Sequence, residues 1–219
     1  MLKYLIVVFL ILFSDFGFGQ QPSYFRFAEK ELEGIDIYDV IQDNQLNYYF
    51  ATDQGIFVHD GYTFNKIECD AMSGGSVFHF VINAEGVIYC HNLNNQIFQL
   101  KNGTCKLAFT IPDVGNDVDI IITHDNHLLI SSSRNIYILN SKNRLIKSTD
   151  FGVSRYFTSL FNLANHKTIL HQSGTGVFWL YENGELTSAK LKMGDLSQSP
   201  NIEALHFFRT KTQTFAINI

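Results

Sequence analysis

Aliphatic and aromatic residues return at an interval of 40 positions, and this period constrains the fold more than any other feature of the chain. The segments Tyr48-Tyr49-Phe50-Ala51-Thr52, Ile88-Tyr89-Cys90-His91-Asn92, Leu128-Leu129-Ile130-Ser131-Ser132 and Thr168-Ile169-Leu170-His171-Gln172 align, with Tyr49, Tyr89, Leu129 and Ile169 spaced by 40, 40 and 40. Each reads as the second strand of a repeat. First strands are expected to start near Ile37, Val77, Val118 and Tyr156, and third strands to carry Ile56, Ile97, Ile136 and Val177. About 40 residues holding four short strands is the signature of a β-propeller blade. One small sheet cannot bury both of its faces alone. Sheets stacked around an axis bury their broad faces against neighbours and leave only short edges. A β-sandwich of irregular hairpins is the competing architecture, but nothing in it requires a strict period.

The first repeat shows the local chemistry. Ile37–Ile41, Tyr48–Thr52 and Ile56–His59 are apolar-rich runs, and a fourth begins at Tyr62. Polar or glycine turns separate them: Asp43-Asn44-Gln45, Asp53-Gln54-Gly55 and Asp60-Gly61. β-branched and aromatic side chains suit strands, and Asp-Gly suits a tight primed hairpin turn. Asn102-Gly103 and Asn183-Gly184 take the same place in later repeats, and Ser141-Lys142-Asn143 replaces them in the third. Four meanders are expected, over Ile37–Cys69, Val77–Thr110, Val118–Thr149 and Tyr156–Leu191. Ile202–Phe208 and Thr212–Ile219 read as the first two strands of a fifth. The expectation is an all-β chain: a partial β-propeller of four-stranded antiparallel blades, about four full blades plus the start of a fifth, over 37–219. It reads as the front part of something longer, an open arc that aggregates without its remaining blades. Phe27–Leu32 is the only stretch with helical character after the first residues, and it is short.

Lys3, the apolar run Tyr4–Phe13 and the small residues Gly17 and Gly19 form a signal peptide pattern over 1–19, with cleavage after Gly19 and a short segment over 20–36. Ten apolar residues are too few for a membrane span. The mature chain is thus expected to be periplasmic or extracellular. A hydrophobic fraction of 46% with 14% aromatics predicts a packed core rather than disorder. The net charge of -5, with no Lys/Arg run, argues against a nucleic-acid surface. Cys69, Cys90 and Cys105 are an odd number with no metal spacing. One disulfide and three inert buried thiols both fit; the inert reading is favoured because Cys90 lies inside a strand pattern.

The stretch "YYFATDQGIFVHDGYTF" resembles the regulator-propeller repeat of the extracytoplasmic half of Bacteroidetes-type two-component sensors. Phe50, Ala51, Thr52, Gly55, Ile56, Asp60 and Gly61 match the repeat's pattern; Tyr49 stands where the family has Trp, and Leu46 or Asn47 where it has a turn Gly. Tyr89 again replaces the Trp, and Leu129 and Ile169 are aliphatic. The resemblance covers Ile37 to Ile219. It implies the ligand-sensing propeller region of a two-component signal-transduction sensor. In full-length relatives further blades follow, then an immunoglobulin-like domain, a membrane helix that anchors the protein in the inner membrane, and a histidine kinase or DNA-binding output domain. The partners so implied are an unknown small ligand, with carbohydrate among the candidates, the remaining blades and output domains, and a homodimer formed through those domains.

No catalytic, ligand-binding or metal residue is assigned, no cofactor is expected, and the chain is not read as an enzyme. Gly55, Asn135 and Gly176 precede third strands, where a turn can demand positive φ. Thr52 and Asn92 end second strands, where side chains bond turn backbone. His124 and His127 are the closest histidine pair, but they lie in a turn; His91 and His171 share one blade position and read as a packing slot. Asp39, Asp43, Asp53 and Asp60 cluster in one blade, and the last three are ordinary turn residues. Phe157, Phe161, Phe178, Trp179 and Tyr181 make the fourth blade aromatic; Trp179 and Tyr181 share a face that either packs or stacks on a sugar. Besides the sensor, a stand-alone exported binding protein for a glycan or protein remains open, as does an exported propeller hydrolase or lyase.

Overall fold

The computed structural model describes residues 28, 30–112, 117–150, 157–163, 166–172, 177–189, 205–209 and 214–218. The strands are β1 (Ile37–Gln42), β2 (Tyr48–Thr52), β3 (Gly55–His59), β4 (Phe64–Ile67), β5 (Val77–Ile82), β6 (Ile88–Asn92), β7 (Gln96–Lys101), β8 (Thr104–Thr110) and β9 (Asp119–Ile122). They continue with β10 (Leu128–Ser131), β11 (Asn135–Leu139), β12 (Leu145–Asp150), β13 (Phe157–Asn162), β14 (Thr168–Gln172), β15 (Val177–Glu182), β16 (Glu185–Ala189), β17 (Leu205–Arg209) and β18 (Thr214–Asn218). They form four antiparallel four-stranded meanders in chain order and a two-stranded sheet, β17–β18. These are the four expected blades and the start of a fifth. Among the described residues no helix is long and apolar enough to cross a membrane.

The chain divides into two compact units, Met1–Glu33 and Gly34–Ile219. In the first, the helical expectation over Phe27–Leu32 reduces to one turn, closed by the Leu32 amide on the Ala28 carbonyl at 2.9 Å. The expected signal peptide, residues 1–19, lies outside the described residues.

In the second unit the core lies between the blades. Tyr49, Ala51 and Ile56 of the first blade meet Val77, Phe80, Ile88, Cys90, Phe98 and Leu100 of the second. Tyr89 and Ile97 on the opposite face of the second blade meet Ile120, Leu128, Ile130, Tyr137 and Leu139 of the third. Leu129, Ile136 and Ile138 then meet Leu170 and Tyr181 of the fourth. Alternating side chains of one strand therefore serve two different interfaces, as the pleat requires. This explains why second strands such as β6 and β10 are buried along their whole length. The 40-residue period is the spacing at which this sharing recurs.

The first-to-second-strand loops are copies of one turn. The first residue of each five donates its amide to the carbonyl of the fifth: Asp43 to Asn47, Asn83 to Val87, Thr123 to His127 and Leu163 to Lys167, at 2.7 to 3.0 Å. The fourth residue takes the left-handed conformation, at Leu46 (φ 68°), Gly86 (74°), Asn126 (61°) and His166 (62°). Leu46 is thus the occupant of the turn-glycine place. Side chains of the first residue finish the turn: Asp43 Oδ1 accepts from the Gln45 and Asn47 amides, and Asn83 Oδ1 from those of Glu85 and Val87.

Three sequence expectations are corrected. Cys69 and Cys105 form a disulfide across 36 residues, so only Cys90 is an inert buried thiol. Cys69 lies just beyond β4, and Cys105 lies in β8. Both strands are last in their blades, so positions distant in sequence become neighbours once the blades stack. Asp60-Gly61 is not a two-residue primed turn. Only Gly61 has positive φ, and Asp60 caps a four-residue loop by accepting from the Tyr62 and Thr63 amides. Asn102-Gly103 and Asn183-Gly184 do have positive φ at both residues. Finally, Gly55 has φ 113° as expected, but Asn135 is not in the left-handed region. Its amide instead donates to Ser132 Oγ. Gly176 lies outside the described residues.

Candidate functional site

The first strands of successive blades run beside one another, β1 by β5, β5 by β9 and β9 by β13, and make the inner wall of the propeller. A polar row crosses this wall. Asp39, His79 and Asp119 lie 40 residues apart on β1, β5 and β9. His79 Nδ1 is 2.8 Å from Asp119 Oδ1. Asp39 Oδ2 accepts the Phe80 amide at 2.6 Å, so each carboxylate contacts the neighbouring inner strand of the second blade. The backbone prepares the row. β1 is irregular between Ile37 and Asp39, and β5 between Phe78 and Val81. His79 lies within the β5 bulge at φ 51°, a conformation that a non-glycine residue holds only when its surroundings enforce it.

His79 is 44% exposed and Asp119 25%, so the pair faces open space rather than the interblade core. The hydrogen bond to Asp119 holds the His79 imidazole above its ordinary pKa, against the opposing effect of burial. His91 on β6 is 6% exposed, and among the described residues its Nδ1 has no hydrogen-bond partner. Its ring packs on Phe78 with centroids 5.9 Å apart. Burial, followed by the charge of His79, pushes His91 down to about 4, which keeps it neutral at physiological pH.

The other flagged residues are structural. Asp43 caps the first loop and accepts from Tyr49 Oη at 3.2 Å. Burial works to raise the Asp43 carboxyl, but the bonds from Asn47, Gln45 and Tyr49 outweigh it and hold the group low. Asp53 pairs with the Asp36 backbone. Thr52 Oγ1 donates to the Gly55 carbonyl, and Asn92 Oδ1 accepts from the Asn94 and Gln96 amides, as expected for strand ends. His91 and His171 are both buried in the shared slot. His124 Nε2 contacts the Leu163 carbonyl, while His127 and Asp125 both meet the Tyr181 hydroxyl. Trp179 packs against the same core cluster as buried Tyr181, so their shared face is interior. The Phe157 side chain lies outside the described residues. Among the described residues no group of three or more His, Cys, Asp or Glu is placed to hold a metal ion. A cleft of about 180 Å³ opens between the first two blades, lined by Asp43, Tyr49, Glu85, Lys101 and Asn102. Ligand pockets usually span roughly 300–1,000 Å³.

Asp39 was visible in the sequence as one of four acids, but His79 and Asp119 were not singled out. The signal was present: all three share the 40-residue spacing that defines the blades.

No family model matches the chain, and no curated protein matches it in sequence. Solved structures match in fold. The extracellular domain assigned to a hybrid two component system of B. thetaiotaomicron aligns with TM-score 0.61 and 16% identity, over 78% of this chain and 25% of that one. Virginiamycin B lyase from Staphylococcus aureus aligns with TM-score 0.59 and 13% identity, over 78% of this chain and 59% of the lyase. The WD40 β-propeller domain of Doa1 aligns with TM-score 0.53 and 11% identity, over 80% and 58%. The chain thus spans less than two thirds of each. Together with the meanders, these likenesses define the class: the chain is all-β, with β-propeller blades.

Proposed function

We propose that this chain is an extracytoplasmic ligand-sensing propeller region of a two-component signal-transduction sensor. The observation that carries the reading is the polar row Asp39–His79–Asp119 on the inner wall, because its His79–Asp119 pair joins two blades and stays partly exposed rather than buried in the interblade core. The Cys69–Cys105 disulfide supports an oxidising, extracytoplasmic compartment, where such bonds persist. The fold likeness to the extracellular domain from B. thetaiotaomicron supports the sensor setting. The likeness to the lyase brings no activity with it, since folds host many functions and the site decides.

The test is the reading frame of the full transcript that carries this chain. A membrane span followed by a histidine kinase or DNA-binding domain is the expected result. A stop codon directly after Ile219 overturns the sensor reading in favour of a stand-alone exported binding protein for a glycan or protein.

A further inference from the structure

We propose that a cleft on the outer strands of the second blade, beside the β11–β12 loop of the third, binds a doubly charged oxyanion, the phosphate or sulfate group of a small soluble ligand. The site uses none of the residues of the polar row and does not depend on the sensor reading.

The pleat assembles it. In the β7–β8 hairpin Gln99 lies opposite Lys106, and Lys101 opposite Thr104. These side chains share one face, because residues two apart on a strand point the same way and cross-strand partners lie on the same side. With Asn102 they line a cleft of about 300 Å³, at the lower end of the range of ligand pockets. Every lining side chain can donate a hydrogen bond, and none is a carboxylate. Both lysines are exposed. Lys101 also borders the smaller cleft that holds Asp43 and Glu85, and Lys106 one that holds Glu68 and Asp70. Among the described residues, however, neither lysine forms an ion pair.

The facing blade makes the place more positive. Asn143 Nδ2 donates to Gln99 Oε1 at 2.7 Å, and Asn143 Oδ1 accepts from Tyr89 Oη at 3.1 Å. These bonds seat the loop Asn140–Arg144 against the second blade. The loop carries Lys142 and Arg144, both exposed, and no acid. The next junction between blades is built the other way. Lys147, the third residue of β12, bonds the Gly184 carbonyl and pairs with Glu185 at 3.0 Å, both in the hairpin of the fourth blade. Lys106, the third residue of β8, meets no such acid. Lys101, Lys106, Lys142 and Arg144 thus bring like charges to one junction, in a chain whose net charge is -5. Like charges repel, and an anion from outside relieves that repulsion.

Charge also selects the class. Ammonium groups act as point charges toward phosphate and sulfate oxygens, and amide and hydroxyl donors complete the shell. A cation is repelled. A neutral sugar gains hydrogen bonds but no charge attraction.

Isothermal titration of the full chain with sodium sulfate and with sodium phosphate tests this, at about pH 8, where phosphate is close to doubly charged, and at ionic strength matched with sodium chloride. The expected result is saturable millimolar binding of both dianions and none of chloride. The backbone amide resonances of Gln99–Lys106 should shift on titration in heteronuclear NMR. Lys101→Gln and Lys106→Gln should each weaken binding about tenfold, the loss of one charge-assisted hydrogen bond. Lys106→Arg, which keeps the charge, should bind within a fewfold of the wild type. Both positions are exposed, and an unchanged far-ultraviolet circular dichroism checks that the variants fold. No heat with either dianion, or unchanged affinity in the folded double variant Lys101→Gln with Lys106→Gln, overturns the proposal. Sedimentation with vesicles of phosphatidylcholine and phosphatidic acid, without binding of free phosphate, also overturns it and assigns the cleft to a lipid surface. Either failure leaves the sensor reading standing, because that is decided by the reading frame.

Discussion

At the scale of single residues, the loop between first and second strands separates what a turn requires from what the sequence supplies. The fourth position needs positive φ, and the blades fill it with Leu46, Gly86, Asn126 and His166. An L-residue in this conformation costs roughly 1–2 kcal/mol, and glycine avoids that at an entropic cost of roughly 0.5–1 kcal/mol. Leu46 is 69% exposed, so its side chain recovers little by packing. Leu46→Gly should therefore stabilise the chain by roughly 0.5–1 kcal/mol in urea denaturation. Gly86→Ala should destabilise it by a similar amount. The nearest atom to the added Cβ, on Asn44, is 4.0 Å away, so conformation rather than collision sets the sign. Equal effects of the same sign in both variants would refute this account. Leucine and histidine carry no positive-φ signal of their own, so at Leu46 and His166 the conformation is set by the hydrogen bond that closes the turn rather than announced by the residue type. The polar row was hidden for a related reason. Asp39 is an ordinary acid until His79 and Asp119 are set beside it by the stacking of blades.

At the scale of elements, strand order was legible because each blade is a local meander and its residues alternate between two buried interfaces. Second strands start where expected and β9 starts at Asp119 against Val118, while β4 starts at Phe64 rather than Tyr62 because Tyr62 and Thr63 belong to the loop capped by Asp60. Contacts between elements were not legible. The Cys69–Cys105 bond joins the outer edge of the first blade to that of the second, and no spacing rule announces it. In the loop-entropy description a 36-residue closure contributes about 4 kcal/mol by restricting the unfolded chain. Replacing both cysteines, as Cys69→Ala with Cys105→Ala, should lower stability by that order in guanidinium titrations without changing the far-ultraviolet circular dichroism. A loss below about 1 kcal/mol would mean that the blade cores alone fix the unfolded reference, and that the bond is incidental. Cys90→Ala makes a useful contrast, since that thiol is fully buried in the first interblade core and contributes by packing.

At the scale of the whole molecule, the first blade has apolar positions that the described interblade clusters do not cover. The face of the second blade that meets the first buries Phe80 (6% exposed) and Ile88 (1%). The positions 40 residues earlier, Val40 and Tyr48, are 46% and 42% exposed on the first blade. Phe50, Phe57 and Phe64 gather nearby, with Phe57 and Phe64 stacked at 5.2 Å. Val40 and Tyr48 of the first blade thus stay exposed at positions that the second blade buries in its interface with the first. Exposed contiguous apolar surface of this sort drives association, whether with another sheet of the same polypeptide or with a second molecule. Val40→Thr combined with Tyr48→Lys should reduce self-association in sedimentation velocity. The same double substitution should change the melting temperature little, because exposed positions typically contribute within about 0.5 kcal/mol each. A drop of many degrees would show that the face is already covered in the folded monomer. Unchanged self-association with unchanged melting would place the sticky surface elsewhere, and would leave the first blade's outer face as a tolerated edge rather than an interface.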